Sequence, residues 1–122
     1  MSLQVSHKES RPGVFVVSPV GSIDSDTDTI LADDFEIIFQ GTPSQIVLNM
    51  AEVRYISSAG VRVILKAKKD IKKLDGTISF INLQPQIKKV FEILNALPTF
   101  KVFSSVKEMD SYLDAMQEKF TE

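Results

Sequence analysis

The sequence predicts one α/β domain over residues 1–122, a mixed, mostly parallel sheet with an N-terminal β-hairpin and about four helices. Three observations carry this expectation. Strand-like and helix-like apolar patterns alternate from Gly21 onward, the order of a chain of right-handed β-α-β crossovers. Ile46-Val47-Leu48 is a continuous apolar run, the pattern of a central strand covered on both faces. Two strand-like segments flank Arg11-Pro12-Gly13, which reads as a hairpin turn.

Each element follows from its local pattern. Leu3, Val5 and His7 alternate with polar residues, and Val14 to Val17 form the return strand, finishing near Gly21. Pro19 has no N–H for a ladder and is expected at a bulge, an edge or the strand's end. Asp24, Ser25, Asp26 and Thr27 are candidate N-caps for a helix with Ile30, Leu31, Phe35 and Ile38 on one face up to Gln40, stopped by Gly41 and Pro43. After the central strand, Val53 to Ile56 leads into Ser57-Ser58-Ala59-Gly60. Val61, Ile64, Leu65, Ile71 and Leu74 then follow helical spacing, with Gly76 expected as the left-handed terminator. Ile78 to Ile81 reads as a strand. Pro85 suits the first turn of a helix with Ile87, Val90, Phe91 and Leu94 inward and Pro98 at its end. Lys101 to Phe103 forms a last strand. Ser105-x-x-Glu108 has the form of a capping box before a stripe of Met109, Leu113, Met116 and Phe120.

Composition narrows the function. A 43% hydrophobic content is enough to build one core, and a formal net charge of −2 points to neither nucleic acid nor an acidic membrane. With no cysteine, disulfides, iron–sulfur clusters and thiolate zinc sites are excluded, which fits a reducing, cytoplasmic setting. No window approaches the roughly 20 apolar residues of a membrane span. A phosphate loop, a dinucleotide fingerprint, a Gly-x-Ser-x-Gly elbow and a metal-ligand spacing are all missing, and His7 is the only histidine. Neither catalysis nor a cofactor or metal is expected. Charge is uneven: Asp24, Asp26, Asp28, Asp33, Asp34 and Glu36 make the first helix region acidic, and Arg62, Lys66, Lys68, Lys69, Lys72 and Lys73 make the second basic. Such runs are solvated faces or a bipolar docking surface. No aromatic residues interleave with the lysines, so direct nucleic-acid binding is not expected.

Ser57-Ser58-Ala59-Gly60 stands where the strand pattern ends and the amphipathic helix begins. Small hydroxyl residues there either cap a helix or receive a phosphate. Gly60 serves close backbone packing or leaves the helix N-terminus open, and Asp24 is a cap or a partner-facing acid. If the strands are parallel, Asp24 and Ser58 share one end of the sheet.

Tyr55-Ile56-Ser57-Ser58-Ala59-Gly60-Val61-Arg62-Val63-Ile64-Leu65 resembles the signature segment of the STAS domain, the anti-sigma factor antagonist family. The family pattern there is aromatic, aliphatic, Asp, Ser, Ser/Thr/Ala, Gly, aliphatic. Gly21-Ser22-Ile23-Asp24 resembles its Gly-Glu-Leu-Asp segment, Ile46-Val47-Leu48-Asn49 its central strand, and Pro85 through Leu94 its third helix. The resemblance implies a non-catalytic regulatory protein that captures an anti-sigma factor, itself a serine kinase, and releases it when Ser58 is phosphorylated. The implied partner-binding residues are Asp24, Ser57, Ser58, Ala59, Gly60 and Arg62. Ser57 departs from the family's Asp. That departure motivates an alternative, an accessory or scaffold subunit of a transporter or signalling complex that is not phosphorylated. The oligomeric state is not predicted.

Overall fold

The hairpin forms where alternation predicts it. In the computed structural model, which describes residues 2–96 and 100–121 and side chains as far as Ala115, β1 (Leu3–Arg11) runs antiparallel to β2 (Val14–Ile23). Gly13 supplies the turn with a φ of 78°, and its N–H donates to Glu9 Oε2 at 2.9 Å. Pro19 sits inside β2, opposite Val5, rather than at an end. Gly21 donates its N–H to the Glu52 carbonyl. Alternation turns the Pro19 nitrogen to the same side, between the last β3 pairing at Val17 and the first β4 pairing at Gly21, where no donor is needed. The strand also runs past Gly21 to Ile23, because β4 continues the ladder there.

The sheet orders as β1-β2-β3-β5-β6, every pair after the hairpin being parallel. β3 (Gln45–Asn49) is central, between β2 and β5 (Thr77–Ile81). Val53–Ile56 is a separate short strand, β4, paired with β2 alone. Ile46 and Leu48 face one core and Val47 the other, which explains the continuous apolar run. On the first face, α1 (Asp28–Phe39), α2 (Ser58–Lys72) and α3 (Pro85–Ile93) bury Leu31, Phe35, Ile38, Ile64, Ile71, Ile87 and Phe91. On the second, Met109 and Leu113 of α4 (Val106–Thr121) pack on Val14, Val47, Ile81 and Phe103 of β6 (Lys101–Phe103). The predicted stripe residues Met116 and Phe120 lie outside the described side chains, and Pro98 outside the described residues.

Helix ends differ from the simple reading in an instructive way. Asp75, not Gly76, takes the left-handed conformation after α2, with a φ of 60°. Its N–H donates to Lys72 O at 3.0 Å while Gly76 N–H reaches Ile71 O at 2.9 Å, a Schellman pair. Gly76 is required one position later for space: a Cβ there would lie 2.6 Å from both Ile71 Cγ1 and Ser44 O. Asn95, with a φ of 56°, ends α3 in the same manner. Leu74 and Leu94, read as inward helix positions, fall beyond the helix ends and are exposed. The capping box is also modified. Ser105 Oγ accepts the Glu108 N–H at 3.2 Å, but the Glu108 carboxylate reaches back to the hydroxyl and N–H of Ser104. Those bonds hold its carboxyl below the usual carboxylate range.

His7 ties the hairpin to α1. Its Nδ1 lies 2.8 Å from Asp34 Oδ1 in a half-buried pair that joins positions 27 residues apart, and its ring meets Phe15 edge-on.

Candidate functional site

The site is assembled where two parallel strands stop together. Ile23 of β2 pairs with Ile56 of β4, and the next residue, Ser57, donates its N–H to Ile23 O at 2.8 Å. This single bond brings the Ser57–Gly60 junction beside the turn that begins at Asp24. Both segments lie at the carboxyl ends of the strands, where open α/β sheets place their functional loops.

Asp24 organises that turn. Its Oδ1 accepts the N–H groups of Asp26 at 2.9 Å and Thr27 at 3.1 Å. Its own N–H donates to Thr27 Oγ1 at 2.9 Å, and that hydroxyl lies 2.8 Å from the Ser22 carbonyl. Of the four candidate caps, Thr27 takes the N-cap position of α1, buried and without a side-chain cap bond, while Asp24 holds the turn in front of it. The second Asp24 oxygen has no hydrogen bond among the described residues.

The two serines divide. Ser57 is the N-cap of α2 in extended backbone, with φ −95° and ψ 174°, yet its hydroxyl makes no cap bond and is buried with no partner among the described residues. Ser58 is the first helical residue and is exposed. One turn further on, Arg62 is exposed as well. Ala59 and Gly60 are buried, and a Cβ on Gly60 would stand 2.6 Å from Ile23 Cγ2, 2.8 Å from Ile56 Cγ1 and 3.1 Å from Ile23 O. Gly60 is thus a point of close approach between α2 and Ile23 and Ile56, at the ends of β2 and β4. Close packing, rather than an unusual dihedral, is its structural role.

An ordinary N-cap serine contributes about 1 kcal/mol. Ser57→Ala is expected to cost less than half of that, or to stabilise slightly, because it removes a buried hydroxyl that bonds nothing. A urea melt giving a loss of a full cap's worth would mean that the hydroxyl is engaged after all.

Sequence reasoning passed over three neighbours of the junction. Tyr55, near the end of β4, is 47% exposed, and Val20, within β2, is 45% exposed. The pattern marks Tyr55 as part of a motif but does not say that it faces solvent. Gln84, the N-cap of α3, donates its side-chain amide to the carbonyls of Met50, Ala51 and Val53 at 2.9, 3.1 and 2.6 Å. It thereby fixes the turn that feeds β4 and the junction. Further along the two helices, acidic α1 and basic α2 border a groove lined by Phe35, Glu36, Phe39, Val63, Lys66 and Asp70.

Comparison with known proteins agrees with this architecture. The profile of the STAS domain matches residues 6–109. The chain belongs to the STAS domain family. BtrV of Bordetella bronchiseptica (strain ATCC BAA-588 / NCTC 13252 / RB50), a candidate anti-sigma factor antagonist by name, is 38% identical over 61 residues, a match that spans 50% of this chain and 53% of BtrV. Among solved structures, an anti-sigma factor antagonist from Mycobacterium paratuberculosis superposes with a TM-score of 0.79 at 21% identity, covering 95% of each chain. The anti-sigma factor antagonist SpoIIAA in its unphosphorylated form gives 0.78 at 18% identity, over 91% of this chain and 97% of the other. These structures establish the STAS fold, hairpin and four helices included. Among the described residues, no helix is long and apolar enough to cross a membrane.

Proposed function

We propose that this STAS protein is a non-catalytic, partner-switching regulator that binds a kinase-type anti-sigma factor through the junction of β4 and α2 and is switched at Ser58. The observation that carries the reading is the division of the serines: at the family's phosphorylation position, Ser58 offers an exposed hydroxyl while the Ser57 hydroxyl is buried. The likeness to BtrV and to the anti-sigma factor antagonist structures supports it.

In the modification step, Ser58 Oγ attacks the γ-phosphorus of ATP. A new O–P bond forms, the bond to the β–γ bridging oxygen breaks, ADP leaves and the hydroxyl proton passes to a base of the kinase. The product carries about −1.5 to −2 charges at neutral pH. The free domain tolerates this charge, because Ser58 opens α2, whose leading N–H groups and dipole favour an anion. At the centre of an interface the same charge must be desolvated, so binding fails while the fold persists.

The test incubates the protein with candidate anti-sigma kinases and ATP, then compares partner capture by Ser58→Ala and Ser58→Asp. Label on Ser58, a complex retained by the alanine variant and a loss of at least about tenfold in affinity for the aspartate variant, roughly 1.4 kcal/mol, are expected. Equal capture by both variants would instead favour an unphosphorylated accessory or scaffold subunit, the reading that Ser57 in place of the family's Asp motivates.

A further inference from the structure

We propose that Arg62 is the counter-ion of the Ser58 phosphate, so that phosphorylation both adds a charge to the partner surface and withdraws a cation from it. The inference rests on the phosphorylation reading above and names how that site is regulated. Ser58 and Arg62 stand four residues apart in the regular helix Ser58–Lys72, both exposed. Residues at that spacing are neighbours on one face, and an anion placed N-terminal to a cation is the favourable order. Arg62 is long enough to reach back one turn, and its planar guanidinium presents parallel N–H donors that match two phosphate oxygens.

The surrounding charges leave Arg62 available for this pairing. It has no ion pair or hydrogen bond among the described residues. Lys66, the next cation along the exposed side of α2, is already held by Asp70 at 2.9 Å. Position 57 matters equally. A carboxylate there would adjoin the phosphate, repel it and compete for Arg62, whereas Ser57 places a neutral, buried hydroxyl in that position. Asp24 is the acid on the adjoining turn; its Oδ1 accepts the N–H groups of Asp26 and Thr27, and among the described residues it makes no ion pair with Arg62. The chain therefore lacks a carboxylate at position 57 and carries a free arginine one turn into the helix. Without the phosphate, Arg62 projects from the same exposed helix side as Ser58 and is offered to the partner. With it, the guanidinium turns back to the helix start.

The experiment uses the full chain with phosphoserine inserted at position 58 during translation, so it does not depend on any kinase. Phosphorus NMR follows the second ionisation of the phosphate in the parent protein, Arg62→Gln and Arg62→Lys. The parent is expected to ionise about 0.3 pH unit lower than the glutamine variant, with the lysine variant between them. The difference should shrink in about 1 M salt, where the screening length is about 3 Å. Asp24 acts equally in all three proteins and cancels. Superimposable titrations of the parent and Arg62→Gln at low salt overturn the pairing. Failure of every kinase to label Ser58 removes the phosphorylation reading instead, and leaves this measurement unaffected.

Discussion

Gly60→Val is expected to lower the stability of the domain by about 3 kcal/mol, and with it the proposed partner binding. The reason is geometric. Even the first added carbon would lie 2.6 Å from Ile23 Cγ2 and 2.8 Å from Ile56 Cγ1, both on buried side chains with little room to move. Helix α2 must therefore lift from the strand ends. The Ile23 carbonyl, 3.1 Å from that carbon, also accepts the Ser57 N–H, so the lift strains the bond that positions the junction. A melting temperature lower by about 10 °C is the expected readout for a chain of this size. Partner capture should fall further than the loss of folded protein accounts for, because the surviving native state carries a displaced Ser58. A valine variant that melts within about 2 °C of the parent would show that α2 has slack at Gly60, and the close-packing account would fall.

The parts of the fold that can be read locally were legible. The Ile46–Leu48 run identifies a strand with two covered faces, and the Val61–Ile71 periodicity gives α2 its inner side. Contacts made across the sequence were not. Nothing near His7 announces Asp34, and nothing near Gln84 announces three carbonyls more than thirty residues earlier. The glycine after α2 shows a subtler limit. Composition favours Gly76 as the left-handed residue, but the tertiary contact with Ser44 needs the missing Cβ there, and Asp75 absorbs the positive φ.

The site was legible in the same partial way. The sequence places two adjacent serines at a strand-to-helix junction, with either able to cap or to accept a phosphate. Only the fold separates them, because which hydroxyl is covered depends on how β2 and β4 bring the junction against the Asp24 turn. Asp24 is the reverse case. Its turn-forming bonds are local, within three residues, and the Asp-x-x-Thr spacing is visible in the sequence. Arg62 belongs to the helix pattern, and the sequence already shows no carboxylate three or four residues away on the helix, where Ser58, Ala59, Leu65 and Lys66 stand.

Phe80→Ala is expected to cost about 4 kcal/mol. Phe80 is fully buried in β5, where its ring meets Phe91 of α3 at 5.0 Å and Phe100, just before β6, at 4.8 Å. Phe91 and Phe100 also meet each other, at 6.1 Å, so one ring removed breaks two of three contacts. Each such pair is worth about 0.5–1.5 kcal/mol beyond the area it buries, and the remaining cost is the cavity. Phe80→Leu keeps most of the volume and should lose about 1.5 kcal/mol. Because the cluster joins α3 to the sheet at a distance from Ser58, Phe80→Leu should reduce stability without changing the affinity of its folded fraction for a partner. Denaturant melts in the order parent, leucine, alanine, with unchanged binding by the leucine variant, are the expected result. An alanine variant losing less than about 2 kcal/mol would mean that the three rings do not anchor α3 to the sheet.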